Sequence, residues 1–354
     1  MELPKQLSQA VLRWYDVGHR DLPWRRDKEP YHVWLSEIML QQTRVEAVKG
    51  YYSRFLEALP TVEALANCPE EKLEKLWEGL GYYSRVRNLQ KAAKVILEQH
   101  NGVFPNTFRD VLALPGVGPY TAGAICSICF DLPTPAVDGN VLRVAARLTG
   151  SEEPIDSPGF REQVTEALRE HYAVRPGDLT QGLMELGATL CGPNRPAECA
   201  KCPCRSFCVA AQKGIADRIP VRLPKKEKRT EELTVFLLKC GDVFALQRRP
   251  KRGLLAGLWQ LPNMPGHLEP GAAMEAAEKM GISVQQLYYQ SERSHIFTHI
   301  RWQMRLYALE VRRPSEQFQW LTEQEITGSA ALPTAFRQFW DQWLAQKENM
   351  EKAY

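Results

Sequence analysis

At 354 residues the chain is longer than one average domain and about the length of two. Its formal net charge of +3 permits nucleic-acid binding but does not by itself indicate it. A run of roughly 18 apolar residues, which a membrane span needs, is absent, and the first residues lack the layout of a secretory signal. A cytoplasmic protein is therefore expected, and in that compartment the nine cysteines do not predict a disulfide framework.

Residues up to about Ala216 show the pattern of successive helices. Apolar residues recur there at spacings of three and four, as on the buried face of an amphipathic helix. Prolines such as Pro30, Pro60 and Pro105 separate these segments, as helix breakers do. No run in this half keeps strand alternation. We therefore predict an all-α domain over residues 1–216.

The character of the chain changes after this point. An extended connector is predicted over 217–232, because Ile219-Pro220 restricts the backbone and a charge run from Lys225 to Arg229 follows. Beyond it, short β-rich runs surround Gly241-Asp242, which predicts a hairpin. The expected elements are strands over 233–239 and 243–247, a helix over 271–280, strand content over 295–309 and a terminal helix from about Ala335. Residues 233–354 are thus predicted to form a smaller α+β domain.

Five of the cysteines lie between Cys191 and Cys208. Seven residues separate Cys191 from Cys199, two separate Cys199 from Cys202, and five separate Cys202 from Cys208. Four thiols at this density predict a soft-ligand metal site, either zinc or a [4Fe–4S] cluster. The alternative, a set of buried structural thiols, fits poorly with the loop residues around them. Cys204 is a further thiol in the loop, either a bystander or an alternative ligand.

A glycine-rich turn runs from Leu114 to Gly123 and leads into a predicted helix. Gly116 and Gly118 allow close approach of the backbone to a ligand, and the helix N-terminus offers free amides, so the turn can hold a DNA phosphate. Further along, Asp138 stands at the start of another helical run. Taken alone, this position predicts a helix N-cap. If the carboxylate faced a substrate, it could instead stabilise positive charge.

The turn and the aspartate together resemble the helix–hairpin–helix DNA glycosylase superfamily, with Asp138 matching its signature aspartate. The cysteine spacing matches the endonuclease III and MutY branch, which implies a [4Fe–4S] cluster on Cys191, Cys199, Cys202 and Cys208. That branch has one residue fewer between the first two cysteines, and we expect the loop over 192–198 to absorb the extra one. The resemblance further implies a six-helix barrel module over about 22–130 and a cluster module made of the N-terminal helix and about 131–216.

Bifunctional members of the superfamily attack the sugar with a lysine of the hairpin, which forms a Schiff base. This chain has Tyr120 in that place and no lysine between residues 115 and 140, so a monofunctional glycosylase is expected. The segment 34–43 is similar to the catalytic helix of the MutY family, and apolar residues flank Glu37 in it. Burial against them would raise the pKa of Glu37 toward neutrality, as a general acid requires. The alternative is a surface glutamate on an amphipathic helix.

The resemblance implies an enzyme that removes adenine from double-stranded DNA, acting as a monomer in the cytoplasm at the nucleoid. Glu37 would protonate adenine N7, Asp138 would stabilise the oxocarbenium ion, and the adenosine would be flipped from the duplex. The other matched positions are expected to serve three purposes: Tyr120 and Asn140 position the catalytic groups; Gln42, Thr43, Tyr82, Arg85, Gly116 and Gly118 contact DNA, with Gln42 and Tyr82 as wedges; and Trp24, Arg25, Gln181 and Glu185 line the adenine pocket.

The second domain resembles the C-terminal domain of the same family, which has a Nudix-like fold and reads 8-oxoguanine. The segment 253–262 carries part of this resemblance. In the other part, Phe297, Thr298 and His299 match the recognition loop, and Thr298 keeps the hydroxyl of the usual serine. The expected substrate is therefore adenine mispaired with 8-oxoguanine or guanine.

Three other functions are weighed against this one. A Nudix-type pyrophosphatase needs a metal-binding cluster of glutamates, but the helix over 271–280 has only Glu275 and Glu278. A monofunctional thymine or uracil mismatch glycosylase can also carry tyrosine in place of the lysine, and the C-terminal domain argues against it. A cluster-bearing DNA-binding protein without catalysis would have no need of both Glu37 and Asp138.

Overall fold

The computed structural model describes residues 1–193, 197–224 and 227–351. Part of the predicted 192–198 loop and Lys225-Lys226 of the charge run lie outside these ranges. The chain divides into two compact units. The first comprises Met1–Cys68 and Arg87–Lys225, and the second comprises Pro69–Val86 and Lys226–Tyr354. A short segment from the helical half of the sequence therefore belongs with the C-terminal unit.

The predicted succession of helices up to Ala216 is confirmed. In chain order the α-helices of the described part are α1 (Leu7–Gly18), α2 (Pro30–Leu40), α3 (Val45–Ala58), α4 (Val62–Asn67), α5 (Glu70–Leu76), α6 (Ser84–Gln99), α7 (Phe108–Ala113), α8 (Pro119–Phe130), α9 (Gly139–Thr149), α10 (Pro158–Leu168), α11 (Pro176–Ala188) and α12 (Val209–Gln212). Proline opens α2, α8, α10 and α11, at a position where its missing N–H leaves no helical hydrogen bond unmade. Of the three prolines named above as helix breakers, Pro30 stands at the first residue of a helix.

Two helices of the first unit, α8 and α9, are buried on nearly every face. From Val141 to Leu148 every residue of α9 is buried, and α8 is buried from Thr121 to Ile128. One core joins α1, α9, α10 and α11 to the cysteine loop, with the fully buried Phe160 in it. A polar side chain on α9 must therefore find its partners inside the protein. Within the described residues, no helix has the length and apolar character to cross a membrane.

The C-terminal unit is built on a mixed sheet. Its strands are β1 (Arg229–Cys240), β2 (Val243–Arg248), β3 (Trp259–Gln260), β4 (Asn263–Pro265), β5 (Val284–Ile296), β6 (Ile300–Val311) and β7 (Gln319–Thr322). Five strands lie in the order β3-β2-β1-β6-β5, while β4 pairs with β1 and β7 pairs with β2. Strands β1 and β6 are parallel, and the other pairs are antiparallel.

Helices cover both faces of this sheet: α13 (Pro270–Lys279), α14 (Glu323–Gly328) and α15 (Thr334–Glu351). Alternate residues of β1 face opposite sides, as the strand period requires. Val235 and Leu237 pack with residues of α15, and Phe236 and Leu238 pack with residues of α13. The smaller α+β domain of the prediction is confirmed, with a core on each face.

The predicted hairpin at Gly241-Asp242 is also confirmed, since Lys239 pairs with Phe244 and Cys240 with Val243. The connector prediction was wrong at its end, because β1 begins at Arg229 and not at 233. Arg229 lies opposite Ile300 in the parallel ladder. Pairing with a distant strand, which local sequence does not reveal, supplies the hydrogen bonds that make this charged stretch a strand.

Candidate active site

Glu37 lies on α2, a helix in which only a small part of the surface reaches solvent. Its neighbours Leu35, Ile38 and Met39 are buried, and Glu37 itself is 6% exposed. Burial raises the pKa of Glu37 to about 7, a hydrogen bond from Tyr120 lowers it, and the nearby Asp138 raises it. The buried carboxyl of the sequence prediction is therefore present, and it can hold a proton near neutral pH.

The helix–hairpin–helix places Tyr120 against this carboxyl. α7 ends in the turn that contains Gly116, and α8 begins directly after Gly118. Gly116 has φ of 77°, and a Cβ there would lie 2.6 Å from the Cβ of Asn88, so the turn requires glycine. At the second residue of α8, the Tyr120 hydroxyl donates to Glu37 Oε2 at 2.5 Å. The residue that replaces the Schiff-base lysine thus holds the candidate acid in place.

Asp138 is both a helix cap and a member of the site. As N-cap of α9 its Oδ1 accepts from the Val141 amide at 2.8 Å, and its Oδ2 accepts from Asn140 Nδ2 at 2.7 Å. Burial raises the pKa of Asp138, and these hydrogen bonds oppose the rise. The two interpretations of the sequence are therefore compatible, since capping fixes the orientation of a carboxyl that the site uses.

A single cavity of about 930 Å³ brings these groups together. Its walls come from segments that are far apart in the sequence, all of them in the first unit. The predicted residues among its lining are Trp24, Arg25, Glu37, Gln42, Thr43, Gly118, Tyr120, Asp138, Asn140, Gln181 and Glu185. Every predicted catalytic and adenine-pocket residue is in this set. A cavity of this size can hold a nucleoside with its flanking sugar–phosphate.

One wall of the cavity carries a buried ion triad. Glu185 has no exposed surface, and its carboxylate accepts from Arg20 Nε at 2.6 Å and from Arg25 Nη2 at 2.8 Å. Burial alone would raise the pKa of Glu185, but the two arginines outweigh it and hold the pKa below its ordinary value. Glu185 therefore stays ionised, in contrast to Glu37. Arg20 was not anticipated, and nothing in its local sequence marks it.

The predicted metal ligands also lie around one small cavity, of about 20 Å³. Cys191, Cys199, Cys202 and Cys208 all line it, whereas the lining does not include Cys204. Cys204 is 1% exposed and packs in the helical core. In the described part of the chain, no three His, Cys, Asp or Glu side chains are grouped to hold one metal ion.

Two arginines that the sequence analysis missed join this loop to the site. Arg143 donates from Nε to the Cys191 carbonyl at 2.8 Å and from Nη2 to Asn140 Oδ1 at 2.7 Å. Since Asn140 donates to Asp138, hydrogen bonds run without a break from the cysteine loop to the site. Arg147 lies one turn further and donates to Cys191 Sγ at 3.2 Å. The signal that could have found them is two charges at i and i+4 in an otherwise apolar helix.

The two predicted wedge residues share an unusual backbone. Gln42 has φ of 58° and Tyr82 has φ of 46°, in the left-handed region that residues other than glycine rarely adopt. Gln42 lines the cavity of the first unit, while Tyr82 lies in the segment of the second unit and is 46% exposed. Arg85, which is predicted to contact DNA, donates to the carbonyls of Leu80 and Gly81, at 2.9 and 3.1 Å.

The predicted recognition loop is the turn between β5 and β6. Phe297 is half-buried, its amide donates to the Ile300 carbonyl at 2.8 Å, and its ring packs edge-on against Trp302. Thr298 and His299 are exposed at the tip. The hydroxyls of Thr298 and Tyr82 form a hydrogen bond. The second unit therefore presents a wedge candidate and the recognition candidate side by side.

Comparison with known proteins agrees with this architecture. Residues 35–170 match the family of HhH-GPD superfamily base excision DNA repair proteins, and residues 234–342 match the NUDIX domain family. The structure of a thermostable thymine-DNA glycosylase is 27% identical and covers 59% of this chain and 96% of its own, with a TM-score of 0.53. An endonuclease III–DNA covalent intermediate, 23% identical, covers 60% and 96% with a TM-score of 0.51 and shows the fold alone. The fold and the site define a DNA glycosylase of the helix–hairpin–helix class, followed by a Nudix-like domain.

Proteins that are similar in sequence over most of the chain identify the family more narrowly. The adenine DNA glycosylase of Rattus norvegicus is 35% identical over 92% of this chain and 76% of its own length. That of Homo sapiens is 34% identical over 93% and 72%. That of Arabidopsis thaliana is 36% identical over 84% and 56%. The chain belongs to the adenine DNA glycosylase family of base excision repair enzymes.

Proposed function

We propose that this enzyme removes adenine from DNA where it is paired with 8-oxoguanine or guanine. The observation that carries the proposal is the buried Glu37, held by Tyr120 in the cavity that Asp138 also lines. A nucleobase is a poor anionic leaving group, so its departure needs a proton, and Glu37 can hold one near pH 7. The family relatives support adenine as the base.

The chemistry follows from the placement of these groups. Protonated Glu37 donates its proton to adenine N7, and the C1′–N9 bond breaks with its electron pair going to the base, which leaves neutral. The sugar becomes an oxocarbenium ion, which the Asp138 carboxylate stabilises. Water then adds to C1′ and gives its proton to Glu37, so the acid is restored. Tyr120 and Asn140 hold the two carboxyls throughout.

Burial of the reacting nucleotide requires that it leave the duplex. In this proposal Gln42 and Tyr82 enter the stack that the adenosine vacates, and their fixed left-handed backbone presents their side chains. The ionised Glu185 with Arg25, and Trp24 and Gln181, surround the flipped base. On the opposite strand, Phe297, Thr298 and His299 read 8-oxoguanine, which differs from guanine in its N7 donor and its O8 acceptor.

The cysteine loop suits a [4Fe–4S] cluster, which would be held by Cys191, Cys199, Cys202 and Cys208. Four thiols of one loop around a common cavity are the donor set of such a cluster. Bound there, the cluster would supply a structural cross-link of the loop. Arg143 would then tie the loop to Asn140 and so to Asp138.

The test is a single-turnover assay with the full-length protein. Duplexes carry one central adenine opposite 8-oxoguanine, guanine or thymine, and a G:T duplex runs alongside. We expect alkali-dependent breaks at adenine, fastest opposite 8-oxoguanine, and none with Glu37→Gln. Cleavage of the thymine strand of G:T, the activity suggested by the thymine glycosylase likeness, would overturn the proposed substrate.

The proposed [4Fe–4S] cluster is tested by a separate measurement. Iron and sulfide analysis of the purified protein should give four of each per chain, the stoichiometry of a [4Fe–4S] cluster. Cys202→Ser should lower the content, and Cys204→Ser is the matched control that should leave it unchanged. Stoichiometric zinc in place of iron, or loss of iron with Cys204→Ser alone, would contradict this assignment.

A further inference from the structure

The segment Pro69–Val86, which carries Tyr82, is fastened to the C-terminal domain by a partly buried ionic anchor. Glu78 is the centre of this anchor, and its side chain is 14% exposed. Its Oε1 accepts from the Leu332 amide at 2.9 Å and from Arg337 Nη1 at 3.2 Å, and its Oε2 accepts from Lys75 Nζ at 2.7 Å. Lys75 in turn donates to the Ala330 carbonyl at 3.1 Å.

A second contact braces the start of the same segment. Arg248 of β2 pairs with Glu71 of α5, and its guanidinium lies 3.8 Å from the carboxylate of the buried Glu74. The guanidinium also stacks on Trp259 at 3.9 Å. The segment is therefore held by two arginines of the C-terminal domain: Arg248 contacts α5 itself, and Arg337 binds Glu78, two residues beyond the end of the helix. Arginine suits this use, because its planar group binds carboxylates and stacks at once.

Contacts lead from the anchor directly to Tyr82. Trp77, next to Glu78, is fully buried and donates from Nε1 to the Gly81 carbonyl at 3.0 Å. The Arg85 guanidinium lies over the rings of both Trp77 and Tyr82, at 5.2 and 5.8 Å, and binds the turn carbonyls between them. The left-handed Tyr82 is thus held by groups whose own positions depend on the anchor.

We propose that Glu78, Lys75 and Arg337 are positioning residues that set Tyr82 beside Thr298 and thereby determine the preference for 8-oxoguanine over guanine. This inference rests on the proposed function, in which Tyr82 and the 297–299 turn face the mispair. The anchor contains none of the residues proposed for bond cleavage. Its loss therefore reduces recognition of 8-oxoguanine and leaves the chemistry of an already flipped adenine intact.

The experiment compares single-turnover rates on A:8-oxoguanine and A:guanine duplexes, using the full chain with its cofactor. Arg337→Met and Glu78→Gln should each lower the ratio of the two rates about fivefold or more, the scale of an ordinary coupling between sites. Arg337→Lys, which keeps the charge, should restore part of the ratio. Arg305→Met is the matched control, because it breaks exposed ion pairs with Glu269 and Glu292 in the same unit, away from the anchor.

A double mutant tests whether the anchor acts through Tyr82. If it does, Glu78→Gln added to Tyr82→Phe should lower the ratio no further than Tyr82→Phe alone. If Glu78→Gln does not fold, the Arg337→Met variant tests the inference in its place. Hydrogen exchange over residues 78–86 is the second measurement, and exchange should be faster in this variant than in the wild type. Suppose that Tyr82→Phe lowers the ratio of the two rates but a folded Arg337→Met variant keeps the wild-type ratio. This result overturns the inference about the anchor and leaves the proposed function standing. A wild-type enzyme without preference for 8-oxoguanine overturns the proposed function, and this inference with it.

Discussion

Glu37 shows how the burial of one carboxyl makes the stability of the folded chain depend on pH. Its pKa in the folded chain is about 7, above the ordinary 4.5, because burial disfavours its charge. Between these two pH values the folded state binds more protons than the unfolded state, so the stability that Glu37 contributes is complete below pH 4.5 and is lost as the pH rises through 7. Above about pH 7 the Glu37 carboxylate is ionised although it lies among buried apolar side chains.

We therefore expect Glu37→Gln to be more stable than the wild type at pH 8, by up to roughly 3 kcal/mol. The amide keeps the shape and can still accept from Tyr120, and it has no charge to desolvate. The difference should disappear near pH 4.5. Urea unfolding followed at several pH values measures it, and a variant that is less stable than the wild type at pH 8 would show that the burial has been misjudged.

In the proposed mechanism, the same carboxyl sets the pH dependence of base release. Activity that needs protonated Glu37 should fall as the pH rises through about 7. Tyr120 donates to the carboxylate and lowers its pKa, so Tyr120→Phe should move this alkaline limb to higher pH even while it slows the reaction. Asp138 raises the pKa of Glu37, so Asp138→Asn should shift the Glu37 transition to lower pH. Single-turnover pH profiles test the first shift, and pH-dependent unfolding tests the second.

At the scale of the element, sequence patterns predicted the helices well and their partners poorly. Spacing of apolar residues located α2, and the cap position of Asp138 located the start of α9. The meeting of Glu37 with Tyr120 joins residues 83 positions apart, and that of Arg20 with Glu185 joins residues 165 apart. No local pattern records such pairs. The catalytic set could be named only by resemblance, and Arg20 was missed because it belongs to no motif.

Helix α9 carries a further prediction, because its buried Arg147 reaches the cysteine loop. Arg147 donates to the Cys191 sulfur and carbonyl, to the Gly192 carbonyl and, at 2.8 Å, to the Ile219 carbonyl. If Cys191 binds the proposed cluster, a cation that donates to its sulfur stabilises the thiolate form that iron binds. Arg147→Met should therefore lose iron faster than wild type when a chelator is added.

The control for this prediction is Arg175→Met, which breaks ion pairs with Asp16 and Asp178 at the end of α11 opposite to the loop. It should retain iron like the wild type. Loss of visible absorbance and direct iron analysis give the rate without reference to activity. Equal retention by Arg147→Met and the control would mean that the hydrogen bond to Cys191 contributes little to holding the cluster.

At the scale of the whole molecule, the two compact units do not follow the order of the chain. Residues Pro69–Val86 lie with the C-terminal unit although sequence on both sides of them belongs to the first unit. The predicted boundary followed composition, and composition changes only after residue 216. What the pattern could not show is that Glu71 of α5 and Glu78, two residues after the helix, have their partners Arg248 and Arg337 in the other half of the sequence.

This arrangement predicts that removal of the C-terminal domain affects one segment of the helical half far more than the rest. A chain that ends at residue 224 keeps the core of α1, α9, α10 and α11, but it leaves Glu78 and Lys75 without Arg337 and the backbone groups that they bind. Hydrogen exchange read by mass spectrometry should therefore show α9 and α11 as protected as in the full chain, and residues 69–86 much less protected. Because the segment packs with the unit that is removed, it is expected to lose its native position. Unchanged protection of 69–86 in the shortened chain would mean that the helical unit alone determines this segment, and the anchor would then be a consequence of its position.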